Sequence, residues 1–135
     1  MPTLAIDPDK VCYLITLARQ FQVKVDPVES DPASNMSDDG FREVLEDYAD
    51  DPVVIEMRQF LVGLNEEEYR NLLALLLVGR SDHDGDEWDE ALGDAETLRR
   101  ERGPDYLIAT PLLSDHLEEG LNELGYSCEE TDSGV

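Results

Sequence analysis

The stretch Asp82-His83-Asp84-Gly85-Asp86 holds the residue types and spacing that come nearest to a chemical site in this chain. Carboxylates at i, i+2 and i+4 ahead of a helix are how a calcium loop opens, because a hard cation collects several close oxygens. The remainder of that template is not met. Its sixth position is Glu87 where a sharp turn wants glycine, its eighth is Asp89 where an apolar residue would dock, and its twelfth is Gly93 where a bidentate glutamate would close the site. Asp82, Asp84 and Asp86 thus stand as candidates for weak calcium or magnesium binding. The simpler account is an acidic loop that caps the next helix, with Asp84 or Asp86 as N-cap.

Little else in the sequence arranges itself for chemistry. There are two histidines, too few for most zinc or di-iron designs. No HExxH or ExxH occurs, and His116 is followed only by Glu118 and Glu119 on a helix. His83 lies among carboxylates that favour its charged form. There is no GxSxG, no GxxxxGK[ST] and no GxGxxG. Asp38/Asp39 and Asp50/Asp51 are neighbours in sequence, so their side chains diverge at a helix start and make poor acid/base pairs. Cys12 and Cys128 have no CxxC spacing; Cys12 falls inside a helical pattern and is expected to be a small buried apolar residue. The expectation is no catalytic residue and no cofactor.

The elements that would position these residues are helices. Asp7 and Pro8 start the first, since a proline at the first helical position loses no hydrogen bond, and Val11, Leu14, Ile15, Ala18 and Phe21 form one stripe. Residues 29–40 then make a long loop rich in Pro, Ser, Asp and Asn. A loop of that length is unusual in a compact domain, so Asp31, Asn35, Asp38 and Asp39 are candidates for contacting a partner; the simpler account is a surface crossover pinned by Asx turns. A second helix is expected near Asp38 to Asp47, with Ser37 as its cap. Asp51-Pro52 repeats the cap-then-proline start, and Val53, Met57, Phe60, Leu61 and Leu64 supply the third stripe.

Asn65 and Glu68 then form a capping box, flanked by a Leu64–Tyr69 staple. The helix they open carries Leu72-Leu73-Ala74-Leu75-Leu76-Leu77-Val78, which has no polar face and belongs at the centre of the core. A fifth helix follows the acidic loop, with Trp88, Ala91, Leu92, Ala95 and Leu98 inward and Arg99, Arg100 and Arg102 at its negative end. Gly103-Pro104 breaks it, and residues 105–109 make at most a short turn of helix. Thr110-Pro111 should start a last helix with Leu113, Leu117, Gly120, Leu121 and Leu124 inward. Gly125 suits a Schellman end that folds Tyr126 back on Leu121. No alternating strand pattern of any length is present apart from residues 23–28. The fold class is all-α, a single compact bundle of about six helices around a central hydrophobic helix, spanning residues 1–128, with 129–135 as a frayed tail.

The outlying quantity is charge: 33 acids against 10 bases give a net −23. Spread over a folded surface of about 7,000 Å², this is roughly one net charge per 300 Å². Their spacing of about 17 Å is near twice the Debye length in physiological salt and well inside it at low salt. Phosphate contacts need the opposite sign, so nucleic acid is excluded as a partner, while a basic protein is allowed. The longest apolar run is seven residues, short of the roughly 20 of a membrane span. With no secretion signal read at its N-terminus, the chain is expected to be cytoplasmic and reduced. The sequence does not specify an oligomeric state.

Taken together, LAIDPDKVCYLITLAR, DPASNMSDDGFREVLED, DDPVVIEMRQFLVGLNEEE, LLALLLVGR with WDEA, and TPLLSDHLEEGLNELGYSC resemble a bacterial family of small acidic proteins known as a domain of unknown function. The resemblance runs from about Leu4 to Cys128. It implies a compact helical domain and brings no activity, cofactor or catalytic residue with it. The function expected is that of a non-enzymatic cytoplasmic interaction or regulatory protein acting through its acidic surface. A weak divalent-metal module and an enzyme of unknown class are the alternatives.

Overall fold

Aspartate followed by proline opens two helices by one mechanism. Asp7 accepts the Asp9 N–H at 2.9 Å, and Asp51 accepts the Val53 N–H at 2.8 Å; each carboxylate satisfies a backbone donor that the first turn leaves over. The computed structural model describes residues 4–24 and 48–128, so the expected helix near Asp38 to Asp47 lies outside the described residues. Within them the helices are α1 (Pro8–Lys24), α2 (Pro52–Val62), α3 (Glu66–Gly79), α4 (Trp88–Glu101), α5 (Pro104–Ala109) and α6 (Leu113–Glu123), with a 3-10 turn at Gly85–Glu87 ahead of α4. No strand occurs among the described residues.

The leucine-dense helix is the centre, as its composition requires. Every residue of α3 from Asn71 to Val78 is buried, with α6 and α4 against it. Helix α1 packs on α6 and α2, and α2 carries the short α5. The capping box forms: Glu68 N–H donates to Asn65 Oδ1 at 2.7 Å and Asn65 N–H to Glu68 Oε1 at 3.0 Å. The Schellman end forms too. Tyr126 N–H donates to the Leu121 carbonyl at 2.8 Å and Gly125 N–H to that of Asn122 at 3.0 Å. The turn needs Gly125 at φ 89°, where a Cβ would be strained.

Two glycines set the crossing of α3 and α6. A Cβ on Gly120 would lie 2.4 Å from the Leu75 carbonyl oxygen, and one on Gly79 would lie 1.7 Å from that of His116. Backbone therefore meets backbone at two points about one helical turn apart, in antiparallel register. Large side chains fill the space around those contacts, with Leu72, Leu76, Leu117 and Leu121 withdrawn fully from solvent.

Four expectations are corrected. Residues 104–109 form a helix, and Thr110 ends it, its hydroxyl donating to the Tyr106 carbonyl at 2.6 Å. The last helix consequently starts at Leu113, two residues late, after Leu112 turns the chain in a left-handed conformation at φ 57°. In α2 the buried set is Val54, Met57 and Leu61, with Val53 and Phe60 only half-covered, so its inner face is rotated by one position at the start. Cys12 is buried, yet, contrary to expectation, neither unpaired nor reduced: it forms a disulfide with Cys128, Cα to Cα 5.6 Å. That bond ties the chain after α6 to the second turn of α1.

Buried polar groups serve the packing. Asn71 Oδ1 accepts the Ala5 N–H at 3.1 Å while its amide donates to the Glu67 carbonyl at 2.9 Å, fixing the N-terminal segment over α3. Ser114 donates its hydroxyl to Gln22 Oε1, joining α6 to α1.

Candidate functional site: the acidic ledge at the start of α4

Between Ser81 and Leu98 the chain carries eight carboxylates and no lysine or arginine. The local fold turns part of this run into one surface. Asp84 N–H donates to Glu87 Oε1 at 2.8 Å, closing the 3-10 turn and bringing the loop back onto the helix it precedes. Glu87, the last residue of that turn, and Glu90 and Asp94 of α4 recur at i, i+3 and i+7, and so line one side. His83 lies across that face with its side chain only 15% exposed. Its Nε2 is 2.6 Å from Asp94 Oδ2, and its Nδ1 is 4.0 Å from Glu90 Oε2. The bond to Asp94 chiefly raises the imidazole pKa above its ordinary range. Slight desolvation opposes this, and the charges of Asp94, Glu87 and Glu90 add to the rise.

The sequence candidates separate in the structure. Asp82 turns away and holds Arg80, with Oδ2 at 2.9 Å from Nη2 and 3.1 Å from Nε. Asp84 caps the 3-10 turn, and Asp86 lies exposed in its first turn. Among the described residues, the group whose possible ligand atoms come together is His83, Glu87 and Glu90, all within 4.8 Å of one another. Only the histidine belongs to the stretch that the Asp-x-Asp-x-Asp pattern picks out. A signal for the other two was present in the spacing, since residues 83, 87, 90 and 94 are separated by four, three and four. Asp31, Asn35, Asp38 and Asp39 lie outside the described residues.

Elsewhere the polar groups are spoken for or buried by packing. A groove of about 300 Å³ beside the disulfide is lined by Asp9, Tyr13, Thr16, Arg19 and both cysteines. Its polar ends are engaged: Arg19 pairs with Glu118, and the Tyr13 hydroxyl donates to Glu56. The Tyr69 hydroxyl, under the start of α3, has no partner among the described residues. Burial, and then the charge of Asp105, push its pKa up to about 12. His116 is pushed down, first by burial and then by the neighbouring Arg80.

The model of a family described as "Protein of unknown function (DUF3775)" matches residues 54–126, more than half of the chain. This chain belongs to the DUF3775 family. The matched segment runs from the first turn of α2 to the Schellman end of α6. It therefore holds the glycine crossing and the whole acidic ledge, and leaves out α1 and both cysteines. No curated protein and no solved structure matches the chain at a significant level. Among the described residues no helix is long and apolar enough to cross a membrane.

Proposed function

We propose that this DUF3775 protein is a non-enzymatic interaction module that engages a basic protein surface through the ledge at residues 84–94. One observation carries the reading: the cations are consumed internally while the ledge keeps its acids. Each lysine or arginine whose side chain is described faces an acid or a ring. Lys10 pairs with Glu68, Arg19 with Glu118, Arg58 with Asp105, Arg70 with Glu67 and Arg80 with Asp82. Arg99 and Arg100 share Glu96, and Arg102 lies over the Tyr106 ring. None of these is left to balance Asp84, Asp86, Asp89 or Glu90. A concentration of acids on one exposed segment steers a basic partner and raises its association rate, in a manner that salt weakens.

The test is capture from lysate by the wild-type chain and by Asp86→Lys/Asp89→Lys, at low and at high salt. A specific partner bound by wild type at low salt, released at high salt and lost with the double variant is the expected result. A partner held equally at high salt, or equally by the double variant, refutes the electrostatic reading.

A further inference from the structure

The set His83, Glu87 and Glu90 differs from the rest of the acidic surface in containing an imidazole, and in the way that imidazole is held. The ring is largely withdrawn from solvent, and a carboxylate outside the set fixes it: Asp94 Oδ2 stands 2.6 Å from Nε2. With Nε2–H donated to Asp94, the lone pair of the neutral ring lies on Nδ1, the nitrogen that faces Glu90 at 4.0 Å. A carboxylate behind a histidine, selecting its tautomer and aiming its other nitrogen, is the outer half of a metal-binding arrangement. The inner half is a pair of glutamates, Glu87 at the end of the 3-10 turn and Glu90 in the first turn of α4, their oxygens within 4.8 Å of the ring nitrogen and of each other.

We propose that His83 Nδ1, Glu87 and Glu90 bind one divalent transition-metal ion of the zinc class, with Asp94 as the positioning residue behind the histidine. Metal–ligand bonds of about 2.0–2.2 Å place neighbouring ligand atoms about 3.4 Å apart in a tetrahedral site. The three side chains therefore need to draw together by little more than 1 Å, which exposed glutamate rotamers allow. Two carboxylates match the ion's charge, and the proton now shared between His83 and Asp94 stays on Nε2. The donor set also sets the class of ion. Calcium and magnesium collect six or more oxygens, whereas one imidazole nitrogen with two carboxylates suits zinc, cobalt or nickel. Three protein ligands leave a coordination position to solvent. This site shares Glu90 with the acidic ledge, but metal titration tests it separately from partner capture, and it is distinct from an Asp82/Asp84/Asp86 loop.

The experiment titrates Zn²⁺, Co²⁺ and Ca²⁺ into the full-length chain by calorimetry, following the visible spectrum of Co²⁺ and the ring resonances of His83. One equivalent of Zn²⁺ should bind, with Co²⁺ giving ligand-field bands and His83 shifting on binding. Asp94→Asn should weaken Zn²⁺ by about 10–100-fold, His83→Ala by at least as much, and Glu119→Gln, an exposed acid outside the set, by less than about twofold. Equal affinity for Zn²⁺ and Ca²⁺, or Zn²⁺ affinity unchanged in His83→Ala and Asp94→Asn, would show a diffuse anionic surface and overturn the assignment. Because Asp94→Asn is a near-isosteric change on an exposed helix face, it keeps the proposal testable should His83→Ala disturb the loop.

Discussion

Replacing Gly120 by alanine sets two effects of opposite sign against each other. In a helix interior alanine is favoured over glycine by about 1 kcal/mol, so propensity alone predicts a more stable protein. The structure predicts the reverse. The added Cβ would lie 2.4 Å from the Leu75 carbonyl oxygen, about 1 Å inside ordinary carbon contact. The obstacle is backbone, which cannot swing aside as a side chain can. Helices α3 and α6 must then separate, and a gap of 0.5–1 Å forfeits a quarter to a half of the dispersion well at each contact. Overpacking of this kind costs about 1–3 kcal/mol, and occasionally more. Because the obstacle is backbone, the cost falls at the upper end, about 3 kcal/mol. The propensity gain of about 1 kcal/mol leaves a net loss of about 2 kcal/mol, or roughly 6–12 °C in Tm for a chain of this size. Gly93→Ala is the matched control: it lies within α4 with nothing within 4 Å of its Cβ, and should gain about 0.5–1 kcal/mol. Urea unfolding followed by the fluorescence of Trp88, the only tryptophan, reads both. Should Gly120→Ala stabilise as Gly93→Ala does, the backbone-to-backbone crossing is wrong.

Three further outcomes follow from the geometry. Asn71→Ala removes the acceptor of the Ala5 N–H, so stability should fall by about 0.5–1.5 kcal/mol and the Ala5 amide should exchange faster; unchanged exchange there would contradict the contact. Opening the disulfide with Cys128→Ser frees a closed loop of more than a hundred residues, which in the chain-entropy account lowers stability by up to about 4–5 kcal/mol; a urea midpoint equal to that of the oxidised wild type would count against the bond. His83 has its pKa raised in the fold above the ordinary 6.5, first by the bond to Asp94. Its charged form therefore stabilises fully below about pH 6.5, and that contribution is lost as pH rises through the folded-state pKa. The stability gap between wild type and His83→Gln should shrink across that window, and a gap that widens there would reverse the argument.

What the sequence conveyed was whatever a few neighbouring residues decide among themselves. Asp7, Asp51 and the Asn65–Glu68 box each cap a helix by bonds spanning two or three residues, and all three form. The Gly125 turn likewise needs only its own φ and two nearby carbonyls. The start of the last helix was misplaced because Thr110-Pro111 has the local chemistry of a helix start, while Thr110 spends its hydroxyl backwards on Tyr106. The disulfide was out of reach for a different reason. Cys12 and Cys128 are 116 residues apart, and only the packing of α1 on α6 brings them together. At the candidate site the Asp-x-Asp-x-Asp pattern drew attention to side chains that diverge into a cap, an Arg80 pair and solvent. The convergent residues sat in a plainer helical spacing that any solvated helix face could show.

The bond between Cys12 and Cys128 makes a covalent ring of nearly the entire polypeptide. A protease that cuts the backbone once at any peptide inside that ring releases no fragment. The nicked molecule stays one piece, with its mass changed only by the water of hydrolysis, and separates in two when a thiol reductant is added.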